Sequence, residues 1–246
     1  GFVARGGGLL ADLLPATQTA HGGPRPASPL ADVFDGSRGV CLGTSATAQQ
    51  AAALDGALTK LGVRAALSWQ LADGGLPVQT EAYRYALGEA QFLGLVRAAT
   101  TEAAREGDVV LRLPERRFVY DARAGKLLGH CDRLQVGIPA GEARFLALLP
   151  YRVEGLGLRC RVEGKELRIV ADVRCNTRPT DHVLHLELTA PGQSTPVFAY
   201  TRNLTAPAGR LDMVIPLALN DPRGQWQATI RDVATGTSAK QTFRLQ

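Results

Sequence analysis

Hydrophobic and polar residues alternate with a period of two through the middle of the chain, across residues 108–150. Val109, Leu111 and Leu113, for example, occupy every second position. Successive side chains of a β-strand point to opposite faces of a sheet, so this pattern predicts three or four antiparallel strands with one buried face. Residues 145–149 are all apolar, which predicts a central strand covered on both faces. Earlier strands are predicted at residues 65–70, 78–87 and 91–96.

Turn residues separate these strands. Residues 118–126 predict a hairpin in which Asp121 accepts hydrogen bonds from backbone amides and Gly125 adopts a positive φ. The stretch Asp232-Val-Ala-Thr-Gly236 has the same turn pattern. We interpret the two stretches as two hairpin turns of the same type and not as a sequence repeat. The polar residues 100–107 predict a loop beside the sheet.

The beginning of the chain has a different period. Leu54, Leu58 and Leu61 lie on one face of a helix predicted for residues 45–62, with Ser45 as N-cap and Gly62 as its end. Before it, residues 2–12 predict a helix end, a glycine stop and a short buried strand. The order helix, glycine, strand is typical of α/β domains, although only one such unit is present.

The last third of the chain predicts a second β unit. Seven short strands separated by about ten residues are typical of an immunoglobulin-like sandwich. They are centred near Leu158, Leu167, Leu184, Val197, Leu211, Trp226 and Phe243. The predicted fold is therefore mostly β, with an N-terminal α/β remnant (1–62), an antiparallel β domain (63–151) and an immunoglobulin-like β-sandwich (152–246).

Composition and charge narrow the possible functions. The chain carries 28 Lys and Arg against 23 Asp and Glu, but the basic residues are scattered singly, so we do not expect nucleic-acid binding. It has no apolar run of the ~20 residues that a membrane span requires. The four cysteines form no C-x-x-C pair and share no ligand spacing with the histidines, so we expect buried free thiols and neither metal nor cofactor. The chain does not start with a signal-like segment and its first residue, Gly1, is not a methionine, so we expect a fragment or a processed piece with any signal peptide upstream.

Cys41 is the first candidate for chemistry. It stands in Gly39-Val-Cys-Leu-Gly43, a pattern similar to the nucleophile elbow of class I glutamine amidotransferases. A helix N-terminus after such a turn lowers the pKa of the thiol. Against this, residues 35–38 are not the apolar strand that an elbow requires, and the only His-x-Glu, His185 and Glu187, lies on a predicted sandwich strand with both side chains pointing outward. The alternative is a small buried cysteine in a loop.

Trp69 is the second candidate, because a flat indole can stack on the apolar face of a sugar ring. Trp226 has the same chemistry, but it is in phase with Ala228 and Ile230 and is expected in the core. No pair of carboxylates has surroundings that would make one an acid and the other a base. We assign no catalytic residue.

Several of these segments resemble a known family. Residues 2–12, His21-Gly22 and residues 28–34 resemble the later part of the β-galactosidase trimerisation domain. That domain is a glutamine-amidotransferase-like module that follows the catalytic barrel in family-forty-two-type glycoside hydrolases. Three later stretches are similar to the β region that comes next in such proteins, residues 83–96, 118–129 and 141–150. The rest of the chain is similar to immunoglobulin-like tail modules of secreted bacterial proteins.

The resemblance implies a non-catalytic C-terminal accessory region, because the trimerisation module lacks the amidotransferase triad and the catalytic glutamates belong to the barrel. The implied partners are the N-terminal catalytic domain of the same protein, a homo-oligomer and carbohydrate, and the implied location is extracellular or periplasmic. Two alternatives stay open. One is a carbohydrate-binding or surface-adhesion β module, and the other is an amidotransferase-like hydrolase that uses Cys41.

Overall fold

The computed structural model describes residues 2–36, 38–43, 47–63 and 67–246. The chain divides into two compact units, Gly1–Ala66 and Leu67–Gln246.

The first unit is a small α/β fragment. Strands β1 (Leu9–Ala11) and β2 (Gly39–Cys41) pair in parallel. Helices α1 (Ala31–Phe34) and α2 (Thr47–Lys60) follow β1 and β2 respectively. The predicted glycine stops are confirmed, since Gly6 and Gly62 have φ of 93° and 75°. The predicted N-cap, Ser45, lies outside the described residues.

Two details of this unit differ from the prediction. Strand β1 is not fully buried, because β2 is its one strand partner in the part of the chain that the structure describes, and Leu10 is exposed. Leu54, expected on the buried face of α2, is also exposed, whereas Ala57 is buried. Ala57 is therefore better buried than the larger Leu54 on the same helix.

In the described residues, the second unit begins with a sheet of six antiparallel strands. Five of them follow the order β3-β6-β8-β5-β4, and β7 pairs with β6. Its strands are β3 (Ser68–Leu71), β4 (Thr80–Leu87), β5 (Ala90–Arg97), β6 (Val109–Asp121), β7 (Lys126–Val136) and β8 (Ala143–Leu149). Strand β8 lies between β5 and β6 with residues 146–149 buried, which confirms the predicted central position, but Phe145 is 45% exposed, so the prediction that both faces are covered is wrong at the start of the strand. The loop predicted at residues 100–107 contains helix α3 (Thr101–Arg105), because the Thr100 side chain caps it at Ala103 N (3.0 Å) and Ala103 is buried.

The core of this sheet forms because β6 changes partners along its length. Its register with β7 shifts between Arg112 and Arg117, next to Pro114. The residues before the shift pair with β3 and those after it pair with β8. One face of β5 and β8 consequently packs against the first part of β6, in a cluster that includes Leu93, Leu95, Val109, Leu111, Leu146 and Leu148.

Seven more strands form a sandwich of two sheets, β13-β10-β9 and β12-β11-β14-β15. They are β9 (Val153–Glu163), β10 (Glu166–Cys175), β11 (His182–Thr189), β12 (Arg202–Ala206), β13 (Arg210–Pro216), β14 (Gly224–Asp232) and β15 (Ser238–Leu245). Six of the predicted strand centres are confirmed. The one near Val197 is wrong, because Val197 precedes a 3-10 turn, Phe198–Tyr200, and the strand follows that turn.

The predicted fold class is confirmed: the chain is mostly β, with an α/β remnant, an antiparallel β region and an immunoglobulin-like sandwich. The division at residue 151 stays a prediction. Buried side chains from both sides of it share one cluster, which includes Tyr120, Leu149, Tyr151, Val153, Leu184 and Ala234. The antiparallel sheet and the sandwich are therefore joined by packing as well as by the chain.

Candidate functional site

A buried polar network lies where the antiparallel sheet meets the sandwich. Tyr151 follows β8, His182 begins β11 and Asp232 ends β14. His182 Nδ1 is 2.9 Å from Asp232 Oδ1, and His182 Nε2 is 2.9 Å from the Tyr151 hydroxyl. The carboxylate, the imidazole and the hydroxyl thus form a continuous chain of hydrogen bonds, with the tyrosine in the place that a serine has in a hydrolase triad.

Every polar side-chain atom of this hydrogen-bonded network has a partner. The Tyr151 hydroxyl accepts a bond from Thr180 N (2.9 Å), and Asp232 Oδ2 accepts one from the Thr235 hydroxyl (2.6 Å). The simplest assignment has His182 Nδ1–H donating to Asp232 and the Tyr151 hydroxyl donating to His182 Nε2. His182 is 2% exposed and Asp232 is 0% exposed. The network is therefore closed to solvent and fully satisfied within the protein.

The electrostatics of the two tyrosines at this junction agree with a structural role. Burial raises the pKa of Tyr151 and of Tyr120 above the ordinary value, because the charged phenolate would lose its hydration. Both hydroxyls are then protonated at neutral pH. Tyr120 uses its hydroxyl to accept a hydrogen bond from Val153 N at 3.0 Å, across the junction.

The cavity beside this network is small. Its volume is about 110 Å³ and its walls are mainly apolar, with Leu87, Phe92, Leu149, His182, Val183 and Ala234 among the lining residues. Ligand pockets usually enclose roughly 300–1,000 Å³. The space next to His182 is therefore too small to hold a sugar ring against Tyr151.

A second buried charge has an equally structural setting. Arg97, 3% exposed, donates through Nε to the Thr80 hydroxyl (2.9 Å) and through its terminal nitrogens to the carbonyl oxygens of Glu106 (2.9 Å) and Gly107 (3.0 Å). These bonds fasten the segment after α3 to strands β4 and β5. The guanidinium thus ties this segment to the start of β4 and the end of β5.

Cys41, the first candidate from the sequence, is the last residue of β2 and is exposed. The prediction of a buried loop cysteine as its alternative is wrong in both respects. Its thiol lies 3.7 Å from the carbonyl oxygen of Asp12, which cannot act as a base. His185 and Glu187 belong to the other unit, where they contact each other at 3.4 Å on the outward face of β11.

The other three cysteines are free and half-buried. Burial raises the pKa of the Cys160 thiol to about 11. Across the β9–β10 hairpin, Cys160 pairs with Ile169 and Cys175 pairs with Val153, so the two thiols are not opposite each other.

The two tryptophans differ in their surroundings. Trp226 is 1% exposed, lies between Tyr200 and Phe243, and donates from Nε1 to the carbonyl oxygen of Pro222 at 2.9 Å, which confirms its place in the core. Trp69, on edge strand β3, is half-buried and packs against the core of the antiparallel sheet. Only part of its indole is accessible for stacking.

The sequence did not reveal a patch of exposed apolar side chains on the antiparallel sheet. Tyr83 and Tyr85 of β4, Val96 of β5 and Phe145 of β8 are 38–61% exposed on one face. Gly94 lies between Tyr83 and Phe145 in the same row, and a Cβ there would be 3.4 Å from the Phe145 ring. We call these four side chains the aromatic patch. In the sequence, the alternation of Tyr83 and Tyr85 shows that both side chains lie on one face of a strand, but it does not show whether that face is covered.

The described part of the chain contains neither a cluster of metal-ligating side chains nor a helix suited to span a membrane. Among those residues, no three His, Cys, Asp or Glu side chains are grouped closely enough to hold a metal ion. No helix there is long and apolar enough to cross a membrane.

Fold and site together define a β-rich module with an immunoglobulin-like sandwich, in which the buried polar side chains serve the architecture. No family model and no curated protein matches the chain. Among solved structures it is similar to the FN1–FN3 domains of chicken CNTN1, with 9% identity, 67% of this chain and 65% of that chain covered, and a TM-score of 0.30.

Two other structures are similar at the same level. Ruminococcus gnavus beta-glucuronidase has 11% identity, with 49% of this chain and 20% of that chain covered and a TM-score of 0.25. A hypothetical protein from Pyrococcus horikoshii OT3 has 11% identity, with 38% of this chain and 89% of that chain covered and a TM-score of 0.28. The chain spans about a fifth of the beta-glucuronidase. At these TM-scores the likeness assigns no function.

Proposed function

We propose that this chain is a non-catalytic accessory region of a larger glycoside-hydrolase-like protein, in which its β unit is a rigid scaffold that packs against or presents a carbohydrate-active catalytic domain. The observation that supports it best is the closed network of Tyr151, His182 and Asp232. Its imidazole and carboxylate are those of a hydrolase triad, with a tyrosine hydroxyl in the place of the serine, yet all their hydrogen bonds are made inside the protein.

The position of the network supports a scaffold. It connects the segment after β8 to two strands of the sandwich, and Tyr120 adds a bond from β6 to Val153 at the start of β9. A fully satisfied buried polar network fixes one geometry, because any displacement leaves desolvated groups without partners. The antiparallel sheet and the sandwich would thereby keep a constant relation under load from a neighbouring domain.

An activity assay tests the non-catalytic part of this proposal. The purified chain should release no nitrophenol from a panel of nitrophenyl glycosides and esters. A rate that is lost in Asp232→Asn, while the circular dichroism spectrum of that variant stays native, would contradict the proposal. A contaminating enzyme would be recognised because its rate would be the same in both preparations.

The accessory part is tested with the coding sequence on the 5′ side of the Gly1 codon. We expect it to encode a catalytic barrel with paired glutamates. In that longer protein, deletion of residues 67–246 should lower the thermal midpoint or change the assembly while kcat on a small substrate changes less than about threefold. A different kind of domain upstream would overturn the proposal.

A second function, carbohydrate binding, is favoured by the aromatic patch. Exposed aromatic faces in a row present the flat apolar surface on which sugar rings stack. Affinity gel electrophoresis in soluble polysaccharides tests this. Tyr85→Ala and Phe145→Ala should abolish retardation if the patch binds, and Trp69→Phe tests the candidate from the sequence. Phe198→Ala is the matched control, because Phe198 is 93% exposed on the sandwich and outside the patch. If the polysaccharides do not retard the wild-type protein, carbohydrate binding is excluded as its function.

A further inference from the structure

Strand β4 is an edge strand without the usual protection. It has eight residues and is the last strand of its sheet, where β5 is its only strand partner among the described residues. All of its residues from Glu81 to Leu87 are exposed. Proteins usually protect such edges with proline, lysine, a bulge or a short strand. Strand β4 contains no proline or lysine, and its register with β5 runs without a shift.

The opposite edge of the same sheet is different. Strand β3 at that end has only four residues. The two charged residues of β4 are exposed but already engaged within the chain. Arg84 Nε is 3.3 Å from Gln91 Oε1 on β5, and Glu81 accepts a hydrogen bond from the Tyr83 hydroxyl. The outer edge of β4 is therefore open to another strand.

The backbone bonds show which groups are available. Thr80 is opposite Arg97, and Ala98 N donates to Gln79 O at 2.8 Å, so residues 79 and 98 form a hydrogen-bonded pair. Hydrogen-bonded and non-hydrogen-bonded pairs alternate along an antiparallel ladder. The odd-numbered residues of β4 consequently bond to β5, and Ala82, Arg84 and Ala86 direct their N–H and C=O groups outward.

The outward-directed residues of this edge suit a second copy of the same strand. Ala82 and Ala86 lie two positions on either side of Arg84, so a paired copy can place a small alanine opposite each arginine. We propose that β4 pairs antiparallel with β4 of a second copy of this chain, about a two-fold axis at Tyr83, to form a continuous sheet across a homodimer. This inference does not depend on whether the larger protein acts on carbohydrate.

Charge and strand length together select this register: an axis at Ala82 or Tyr85 would pair only five residues of β4 with its copy, whereas an axis at Tyr83 pairs seven. With the axis at Tyr83, Arg84 is opposite Ala82 of the second copy, and Glu81 is opposite Tyr85 of the second copy, whose hydroxyl can donate to the carboxylate. An axis at Arg84 would instead place two arginines directly opposite each other, which destabilises a strand pair. The chosen axis also joins the aromatic patches of the two copies, because Tyr83 lies against Tyr83 of the second copy on the same face.

The oligomeric state gives the first test. Sedimentation equilibrium of the full chain at tens of micromolar should give twice the 26.1 kDa of one chain. Ala82→Pro removes an outward N–H without removing a bond to β5, and should weaken association at least tenfold. Ala82→Ser, which keeps that N–H, is the control. A monomeric mass at all concentrations up to several hundred micromolar would overturn the proposal, and would leave the edge to a strand from another protein.

Cysteine crosslinking gives the second test and does not depend on the proline variant. All variants carry Cys41→Ser, because Cys41 is exposed. Tyr83→Cys should form a disulfide dimer on mild oxidation, since directly opposed Cα atoms in a non-hydrogen-bonded pair are about 4.5 Å apart. Tyr85→Cys should not, because its two copies would be four residues apart along the strand, about 13 Å. Equal crosslinking of both variants, or linkage only in a mixture of the two, would overturn this pairing.

Discussion

Two hairpin turns with the same pattern serve different purposes in this protein. In Asp121-Ala-Arg-Ala-Gly125 the aspartate accepts bonds from Arg123 N (3.0 Å) and Ala124 N (2.9 Å), as the sequence predicts. In Asp232-Val-Ala-Thr-Gly236 the aspartate is fully buried and bonds His182 and Thr235. The same residue type is thus a local turn residue in one hairpin and the anchor of the domain junction in the other.

The two turns also touch. A Cβ on Gly125 would be 3.1 Å from Gly236 Cα, and a Cβ on Gly236 would collide with Gly125 Cα. Both glycines have positive φ, 63° and 75°. Each position therefore requires glycine for two reasons. Its own turn needs a positive φ, and the backbone of the other turn leaves no room for a Cβ. A turn pattern thus predicts the local bend but not whether the turn is exposed or is used as a contact.

The largest effect is expected at the aspartates. Asp232→Ala leaves His182 and Thr235 buried without their acceptor, and should lower the free energy of unfolding by about 3–5 kcal/mol. Asp121→Ala removes only local bonds at a partly exposed turn and should cost about 0.5–1 kcal/mol. Urea unfolding of both variants measures the difference, and equal losses would show that the two aspartates have the same role after all.

The next effect concerns the contact between the turns. Gly236→Ala should cost about 2–4 kcal/mol, because the added methyl group meets backbone that cannot rotate away. Gly164→Ala is the matched control: Gly164 has φ of 64° in the β9–β10 hairpin, and a Cβ there meets nothing within 4 Å. That control should show only the backbone cost of about 1 kcal/mol. A Gly236 variant no less stable than the control would mean that the turns separate easily.

The smallest change in stability is expected when the fourth residue of each turn is replaced. Thr235→Ala removes the hydroxyl that donates to Asp232 Oδ2 and should cost about 1–2 kcal/mol. Ala124→Thr places a hydroxyl in the exposed turn and should change stability by less than about 0.5 kcal/mol. Thermal unfolding followed by circular dichroism is sufficient, and a destabilised Ala124→Thr would show that the first turn is also tightly packed.

The sequence by itself determined the local elements. Alternation of apolar residues predicted most strands of the second unit, because the two faces of a strand differ in burial at every second residue. The turns around Asp121 and Gly125 were predicted for the same kind of reason, since their hydrogen bonds join residues two or three positions apart. Helix α3 and the strand after Val197 were missed, because a buried Ala103 and a buried Tyr200 override weak local patterns.

Only the tertiary structure decided which of these elements became a site. His182 and Asp232 are 50 residues apart, and neither has a neighbour in the sequence that reveals the pair. The patch around Tyr83 and Phe145 depends on which face of the sheet the sandwich leaves uncovered. The open edge of β4 depends on the order of strands in the sheet. These properties result from burial and strand pairing between distant residues, and a one-dimensional pattern records neither.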